Sequence, residues 1–295
     1  MTIWQRIESD IQKITGEPFV ITHKHSVSGG DINQAYHLSS KQGEYFVKLN
    51  SNDFAPMFVA EAQGLDVLRQ CDAINVPNVV SYGQFEQYSY LVLEHVQMSP
   101  QGNIADFAVA LANLHLYARE QFGFEQNNFI GRTPQINDWQ SDWGRFFTEQ
   151  RLGYQLSLLE QLHVSPVMIK KGRQLLPKLA SYLNQHNPKP ALVHGDLWQG
   201  NYAFDGASIN GSTPVIYDPA CYYADHEVDL AMLELFGDPG PEFFAAYHQI
   251  NPIDRGYSKR KPIYNLYHLL NHATLFGSSY VHQSQSIIEQ LTEQL

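Results

Sequence analysis

Residues 192–218 read LVHGDLWQGNYAFDGASINGSTPVIYD, and two short apolar runs within them frame a polar loop. The first run leads into a His-Gly-Asp tripeptide that ends at Asp196, and Asn201 follows five residues later. The second run ends on Asp218. The Asp-Gly and Asn-Gly dipeptides of the loop tolerate positive φ and are typical of chain reversals. We therefore expect the two runs to form a hairpin that brings two carboxylates and one amide to a common end.

This spacing of side chains matches the needs of phosphoryl transfer from ATP. The transition state spreads charge over several oxygens, so it needs metal ions and a positioned hydroxyl more than covalent help. Kinases use the pattern H-x-D-x-x-x-x-N followed by a strand-terminal Asp. By that pattern Asp196 accepts the hydroxyl proton, while Asn201 and Asp218 bind Mg²⁺. The alternative is an ordinary turn with Asn201 in a solvated loop, but three residues at these spacings are more specific than any one of them.

The composition indicates a globular protein with two lobes or domains. The chain has 295 residues, of which 43% are hydrophobic and 17% charged, and this length exceeds what one small core requires. The formal net charge is −11, and the Lys and Arg residues are scattered. A nucleic-acid partner needs a clustered basic face. We therefore expect no binding to nucleic acid.

The cysteines and the apolar segments favour a cytoplasmic protein. Cys71 and Cys221 lie far apart and form no CxxC pattern, which fits a reducing compartment. The first residues, MTIWQRIESD, lack the basic start and apolar run of a signal peptide. No apolar stretch reaches the length that spans a membrane, so we expect no membrane partner.

A strand lysine and a helix glutamate are predicted to form a pair in the N-terminal part of the chain. Lys48 lies in an apolar run and resembles the strand lysine of kinases, which contacts the α and β phosphates. Glu61 falls on the apolar stripe of a predicted helix over residues 56–69. A carboxylate on an inward face is costly unless it meets a cation, so we expect it to meet Lys48. The alternatives are an edge-strand lysine in solvent and a rotated helix with Glu61 exposed.

Two further segments are candidates for nucleotide binding. Gly29 and Gly30 lie between two strand-like runs, where backbone N–H groups can contact phosphates, although Gly-Gly between strands is more often a plain hairpin. A later apolar strand ends at Glu94 and continues into a short polar connector that includes Val96. This is typical of a hinge between lobes, where an adenine can bond to backbone groups.

The hinge divides the chain into an N-terminal lobe, residues 1–96, and a C-terminal lobe, residues 97–295. Asn137 or Asp138 is predicted to cap a helix in the second lobe, and Asp229 to cap a helix or brace the catalytic loop. The apolar periodicity predicts helices over 3–14, 56–69, 104–119, 137–162, 165–187, 222–232, 242–249 and 261–280.

The chain resembles the fructosamine kinases, also called ketosamine 3-kinases, within the kinase-like group that includes aminoglycoside and choline phosphotransferases. The resemblance covers nearly the whole chain, and its most specific segments are GRTPQINDWQSDWGRFFTEQRL (131–152), LVHGDLWQGN (192–201) and YDPACYYADHEVDLAM (217–232). It implies an α+β, two-lobed, protein-kinase-like fold with a small antiparallel β-sheet lobe and a larger, mostly α-helical lobe. Pro219-Ala220 replaces the Phe-Gly of protein kinases and leaves no room for a long activation segment.

The resemblance also implies an activity. The enzyme would use ATP and Mg²⁺ to phosphorylate the 3-hydroxyl of a ketoamine, a sugar joined to an amine as in glycated lysine. Asp196 would be the base, Asn201 and Asp218 would bind the metal, and Lys48, held by Glu61, would neutralise phosphate charge. Trp198 would stack on the sugar, or else would be wedged under the catalytic loop.

Two other functions remain open from the sequence. A kinase of another amino alcohol or of an aminoglycoside would use the same Asp196 and Asp218, so these residues do not separate it from a ketoamine kinase. A nucleotide-binding scaffold without transfer activity is less favoured, because every catalytic position is filled. The preferred sugar, the preferred amine and the oligomeric state are not predicted.

Overall fold

The computed structural model describes residues 1–27, 32–208 and 213–295. Its contacts divide the chain into two compact units, of which the first is Met1–Asn103 with Ala203–Asp218 and the second is Ile104–Tyr202 with Pro219–Leu295. Among the described residues, no helix is both long enough and apolar enough to cross a membrane.

The first unit is built on an antiparallel sheet whose five strands lie in the order His23–Val27, Gln34–Ser39, Glu44–Ser51, Tyr88–Glu94 and Val79–Phe85. A capping box at Thr2 begins its first helix, where the Thr2 hydroxyl accepts from the Gln5 backbone and the Gln5 side chain accepts from the Thr2 backbone. The elements in chain order are α1 (Ile3–Thr15), β1 (His23–Val27), β2 (Gln34–Ser39), β3 (Glu44–Ser51), α2 (Ala55–Gln70), β4 (Val79–Phe85), β5 (Tyr88–Glu94) and β6 (Met98–Ser99).

The two helices of this unit pack on opposite faces of the sheet. Val47 and Leu49 of β3 join a buried cluster with α1, while Phe46 packs against the cluster that α2 forms with β5. Because successive strand side chains point to opposite faces, Lys48 lies on the α2 face together with Phe46. The alternation of side chains along β3 therefore points Lys48, the only basic residue of this strand, toward α2, which carries Glu61.

The second unit is mostly helical. A π-helix, Phe147–Gly153, joins two of its helices into a continuous run. The elements that follow β6 along the chain are α3 (Ile104–Leu114), β7 (Asn128–Ile130), β8 (Thr133–Gln135), α4 (Trp143–Phe146), α5 (Tyr154–Gln161), α6 (Pro166–His186), β9 (Ala191–Val193), β10 (Tyr202–Asp205), β11 (Thr213–Ile216), β12 (Tyr222–Ala224), α7 (Glu227–Leu235), α8 (Pro241–Ile250), α9 (Tyr257–Phe276) and α10 (Ser278–Gln294).

The predicted hairpin between residues 191–193 and 215–217 is wrong in its pairing. β11 lies beside β10, a strand that the sequence did not predict, and β10 pairs with β6. β9 instead pairs with β12. The Asn210-Gly211 dipeptide lies outside the described residues. The pairing with β6 explains why Ala203–Asp218 belongs to the first unit; the lobe boundary after Val96 stays a prediction.

Four predicted helices have different bounds in the structure. The helix expected over 104–119 ends at Leu114. Residues 222–224 form β12, because they continue the ladder with β9, and α7 begins only at Glu227. The helix expected from Asn137 or Asp138 begins at Trp143, with Asp142 as its N-cap. The helix expected over 261–280 is two helices, α9 and α10, separated at Gly277, whose φ is +88°.

Candidate active site

In the first unit, Lys48 lies between two carboxylates. Its Nζ donates to Glu61 Oε1 at 2.6 Å and to Asp218 Oδ1 at 2.5 Å. Lys48 is 7% exposed, so both contacts form where water screens little, and charge-assisted hydrogen bonds are strong there. The structure thus brings together the predicted lysine and glutamate, and it adds Asp218, which is 170 residues from Lys48 in the chain.

The charges of Lys48, Glu61 and Asp218 influence the pKa values within this cluster. Burial lowers the pKa of Lys48, but the charges of Asp218 and Glu61 outweigh this effect, so the pKa is raised overall and the side chain is firmly cationic. Burial raises the pKa of Glu61 to about 7; the charge of Lys48 lowers it, and that of Asp218 raises it. One ammonium therefore serves two carboxylates, and the cluster can accept a further cation.

Asp218 is held in a sparsely populated backbone conformation. Its φ is +57°, a left-handed value that costs a residue other than glycine about 1–2 kcal/mol. The preceding strand β11 is anchored where the Ile216 N–H donates to the Asn75 carbonyl at 3.0 Å. The side chain of Asp218 is 47% exposed. Its carboxylate thus meets Lys48 and remains accessible, and such oxygens are the ligands that Mg²⁺ prefers.

In the second unit, Asp196 and Asn201 form a local pair. The Asn201 Nδ2 donates to the Asp196 carbonyl at 2.8 Å and to its Oδ2 at 3.3 Å. A turn closed by the Asn201 N–H and the Trp198 carbonyl, at 2.9 Å, sets their spacing. Because the amide nitrogen is engaged with Asp196, the amide oxygen is the atom of this side chain that can bind a cation. Hence the residues present fit Mg²⁺ by donor type.

A buried carboxylate on α7 positions the loop that carries Asp196. Asp229 accepts from the His194 N–H at 2.7 Å, from the Gly195 N–H at 2.9 Å and from His115 Nε2 at 3.1 Å. Burial raises the pKa of Asp229, but the hydrogen bond and charge of His115, together with the loop's donors, leave it lowered. Asp229 is therefore ionised and braces the loop, which is the structural role expected for it.

Gly195 allows this loop to lie against the segment that follows Asp218. Its φ is +83°, and a Cβ at this position would stand 2.2 Å from the Ala220 carbonyl oxygen. The Ala220 N–H donates to the His194 carbonyl at 3.0 Å. No larger residue fits this contact without moving the backbone.

Trp198 lies on the surface of the second unit. It is 39% exposed, and it makes an edge contact with Phe236 at 6.5 Å between ring centroids. The ring lies against Gly200, where a Cβ would approach it to 2.4 Å. The indole is thus supported by the loop without being buried under it, and its stacking on a sugar stays a prediction.

The structure describes the predicted hinge but not the two glycines of the Gly-rich turn. Glu94 is the last residue of β5, where its N–H donates to the Asn78 carbonyl at 2.9 Å, and Val96 lies half-buried in the segment that precedes β6. Contacts of either residue with an adenine stay a prediction. Gly29 and Gly30 lie outside the described residues.

Arg151 has a structural role that the residue patterns did not predict. This guanidinium is fully buried and donates to the Ile136 carbonyl at 2.5 Å and to Asn137 Oδ1 at 2.7 Å. It lies over the ring of Tyr222, 4.0 Å from its centroid, which is a cation–π contact. The only signal for it in the sequence is its place within 131–152. Arg151 ties that segment to β12, the partner of the strand that leads to Asp196.

Comparison with known proteins assigns the family. The family model for fructosamine kinases matches residues 3–294. The chain belongs to the fructosamine kinase family. A Synechocystis protein described as a ketoamine kinase is 44% identical over 293 residues, which cover 97% of this chain and 96% of the relative. An Arabidopsis thaliana protein-ribulosamine 3-kinase of the chloroplast is 41% identical over 278 residues, covering 93% and 84%.

Solved structures confirm the predicted fold class. A protein described as a fructosamine-3-kinase from Haemophilus somnus superposes with a TM-score of 0.87 at 30% identity, covering 98% of this chain and 99% of that one. The aminoglycoside phosphotransferase APH(4)-Ia gives 0.63 at 16% identity, with 97% and 98% covered. The second likeness shows the fold alone. This member of the fructosamine kinase family is thus α+β and protein-kinase-like.

Proposed function

We propose that this protein transfers the γ-phosphoryl group of ATP to the 3-hydroxyl of a ketoamine. The observation that carries the proposal is the buried Lys48, held by Glu61 and Asp218 in a chain of the fructosamine kinase family. The acceptors are fructosamines, ribulosamines or glycated lysine. A 3-phosphate makes such an adduct prone to elimination, which frees the amine.

The residues proposed to bind the phosphates and the metal have distinct parts in this reaction. Lys48 neutralises charge on the α and β phosphates. Glu61 is a positioning residue, because its contact at 2.6 Å restricts the ammonium. Asp218 and the amide oxygen of Asn201 are the residues that would hold Mg²⁺, which when bound offsets charge on the phosphate oxygens.

The loop of the second unit would act on the acceptor. Asp196 accepts the proton of the sugar hydroxyl and orients its oxygen toward the phosphorus. Asn201 and the backbone brace from Asp229 keep that carboxylate in place. Trp198 offers a half-exposed indole to one face of the sugar.

The test is a phosphoryl-transfer assay with ATP, Mg²⁺ and a panel of fructosyl amines, ribulosyl amines, free amines and aminoglycosides. Mass spectrometry should find one added phosphate on the ketoamines, and NMR should place it on the 3-oxygen. Asp196→Asn should lower kcat by at least about 100-fold, because general base catalysis contributes about 10²–10⁴. Asp138→Asn, at an exposed aspartate, is the matched control.

Two outcomes would refute the proposal. Phosphorylation of aminoglycosides or free amino alcohols in preference to every ketoamine would assign another acceptor. Full activity of Asp196→Asn would remove the assigned base.

A cytoplasmic location, expected from the two cysteines, is consistent with both being free and buried and belongs to the same proposal.

A further inference from the structure

Two histidines and a glutamate meet on one face of the sheet of the first unit. Glu44 is the first residue of β3, and His95 directly follows β5. The strand register pairs Ser39 with Glu44 and His37 with Phe46, and the His95 N–H donates to the Glu44 carbonyl at 3.4 Å. Because paired residues point to the same face, the three side chains share one surface.

The three side chains have the spacing of metal ligands. Glu44 Oε2 lies 3.4 Å from His37 Nε2 and 3.3 Å from His95 Nδ1, and the three ligand atoms all lie within 4.8 Å of one another. A tetrahedral zinc with bonds of about 2.0–2.1 Å separates neighbouring ligand atoms by roughly 3.3 Å. The three atoms can therefore surround one ion with small side-chain adjustments.

The His37 nitrogen that faces the cluster lies near the Glu44 carboxylate but forms no hydrogen bond within the described part of the chain. His37 Nε2 is buried and has no hydrogen-bond partner there, although a buried polar atom normally has one. A bound cation would satisfy this lone pair. The missing hydrogen bond adds to the spacing and points to a ligand.

The two imidazole rings of the cluster lie face to face. The His37 and His95 rings are stacked, with centroids 4.1 Å apart and planes inclined by 26°.

We propose that His37, Glu44 and His95 bind one divalent transition-metal ion of the Zn²⁺ type. Two imidazoles and one carboxylate are a known zinc set with a fourth position open to water or a ligand, whereas Mg²⁺ requires oxygen ligands. The ion would join β2, β3 and the residue after β5, and it would stabilise the sheet. The proposal does not depend on the kinase activity.

The test uses the full-length protein without an affinity tag, treated with a chelator and dialysed, with excess Mg²⁺ present. Isothermal titration with Zn²⁺ should find one tight site per chain, and Co²⁺ should give the visible absorption of a tetrahedral complex. Loss of an outer-shell partner alone costs about 10–100-fold in metal affinity. Each of Glu44→Gln and His37→Gln should therefore weaken Zn²⁺ binding by at least about tenfold.

A control variant and a folding check show whether a loss of Zn²⁺ affinity comes from the cluster itself. His282→Gln alters an exposed histidine on α10 and should leave the affinity unchanged. The Glu44 side chain is 53% exposed, so Glu44→Gln should fold, which far-UV circular dichroism verifies. Zn²⁺ should raise the Tm of the wild type and of His282→Gln, but not of Glu44→Gln. The proposal would be overturned if the Zn²⁺ affinity of Glu44→Gln, and the shift that Zn²⁺ causes in its Tm, both stayed within twofold of the wild-type values.

Discussion

Replacing Asp229 by Asn tests how the catalytic loop is held. The substitution keeps the shape but leaves one oxygen where the carboxylate has two, while the His194 and Gly195 N–H groups both require an acceptor. The new amide NH₂ would face one of these donors. A buried donor without a partner costs about 1–3 kcal/mol, and hydrogen bonds to a charged group are worth about 1.5–3 kcal/mol. We expect a loss of about 3 kcal/mol in the free energy of unfolding.

The same change should slow phosphoryl transfer. A displacement of about 1 Å at a catalytic group can cost about 100-fold in rate, and Asp229 contacts the backbone next to Asp196. We expect kcat to fall by about 10–100-fold, with the KM for ATP within twofold of wild type. Urea unfolding, monitored by tryptophan fluorescence, measures the free energy of unfolding. Steady-state kinetics below the melting temperature measures kcat and KM.

The exposed variant Asp138→Asn separates this effect from a general loss of acidic charge. It should change the free energy of unfolding by less than about 0.5 kcal/mol. If Asp229→Asn also stayed within that limit and retained its kcat, the bracing role argued for Asp229 would be refuted. A fall in stability with an unchanged kcat would leave Asp229 a purely structural residue.

Three further changes test other features. Gly195→Ala should destabilise the protein by about 3 kcal/mol in urea unfolding, because its Cβ would stand 2.2 Å from the Ala220 oxygen at φ +83°. Trp198→Ala should raise the KM for the ketoamine by up to about tenfold without changing that for ATP, since an aromatic contact is worth about 0.5–1.5 kcal/mol. His268→Leu should remove part of the acid sensitivity of folding. Burial lowers the pKa of His268 from the ordinary histidine value of about 6.5 to about 3, so the unfolded chain binds the proton first as the pH falls. The wild type should then lose about 2 kcal/mol between pH 7 and pH 5 that the variant retains.

Each of these expectations has an outcome that contradicts it. A Gly195→Ala protein of wild-type stability would mean that the loop can move away from Ala220. An unchanged KM for the ketoamine in a folded Trp198→Ala would place the indole outside the acceptor site. Equal pH dependence of unfolding in the wild type and His268→Leu would show that His268 is protonated as readily in the folded state.

Local pattern predicted much of the architecture. The apolar period placed helices at 3–14 and 56–69, and the structure has α1 and α2 there. The same reasoning put Lys48 and Glu61 on facing surfaces, because a strand period of two and a helical stripe each fix which side chains point inward. It failed for residues 137–142, where the polar side chains suit a helix start but Asn137 is instead buried against Asn128 and Arg151.

By itself the sequence determined the family and the fold class, through its resemblance to the fructosamine kinases, and the residue types of the candidate site, through short spacings between them. Only the tertiary structure decided that Asp218 meets Lys48, that Asp229 holds the loop that carries Asp196 and that Arg151 lies over Tyr222. The physical reason is that contacts between residues far apart in the chain depend on which strands pair. A strand's own residues specify which side chains face inward, but they do not specify the partner strand.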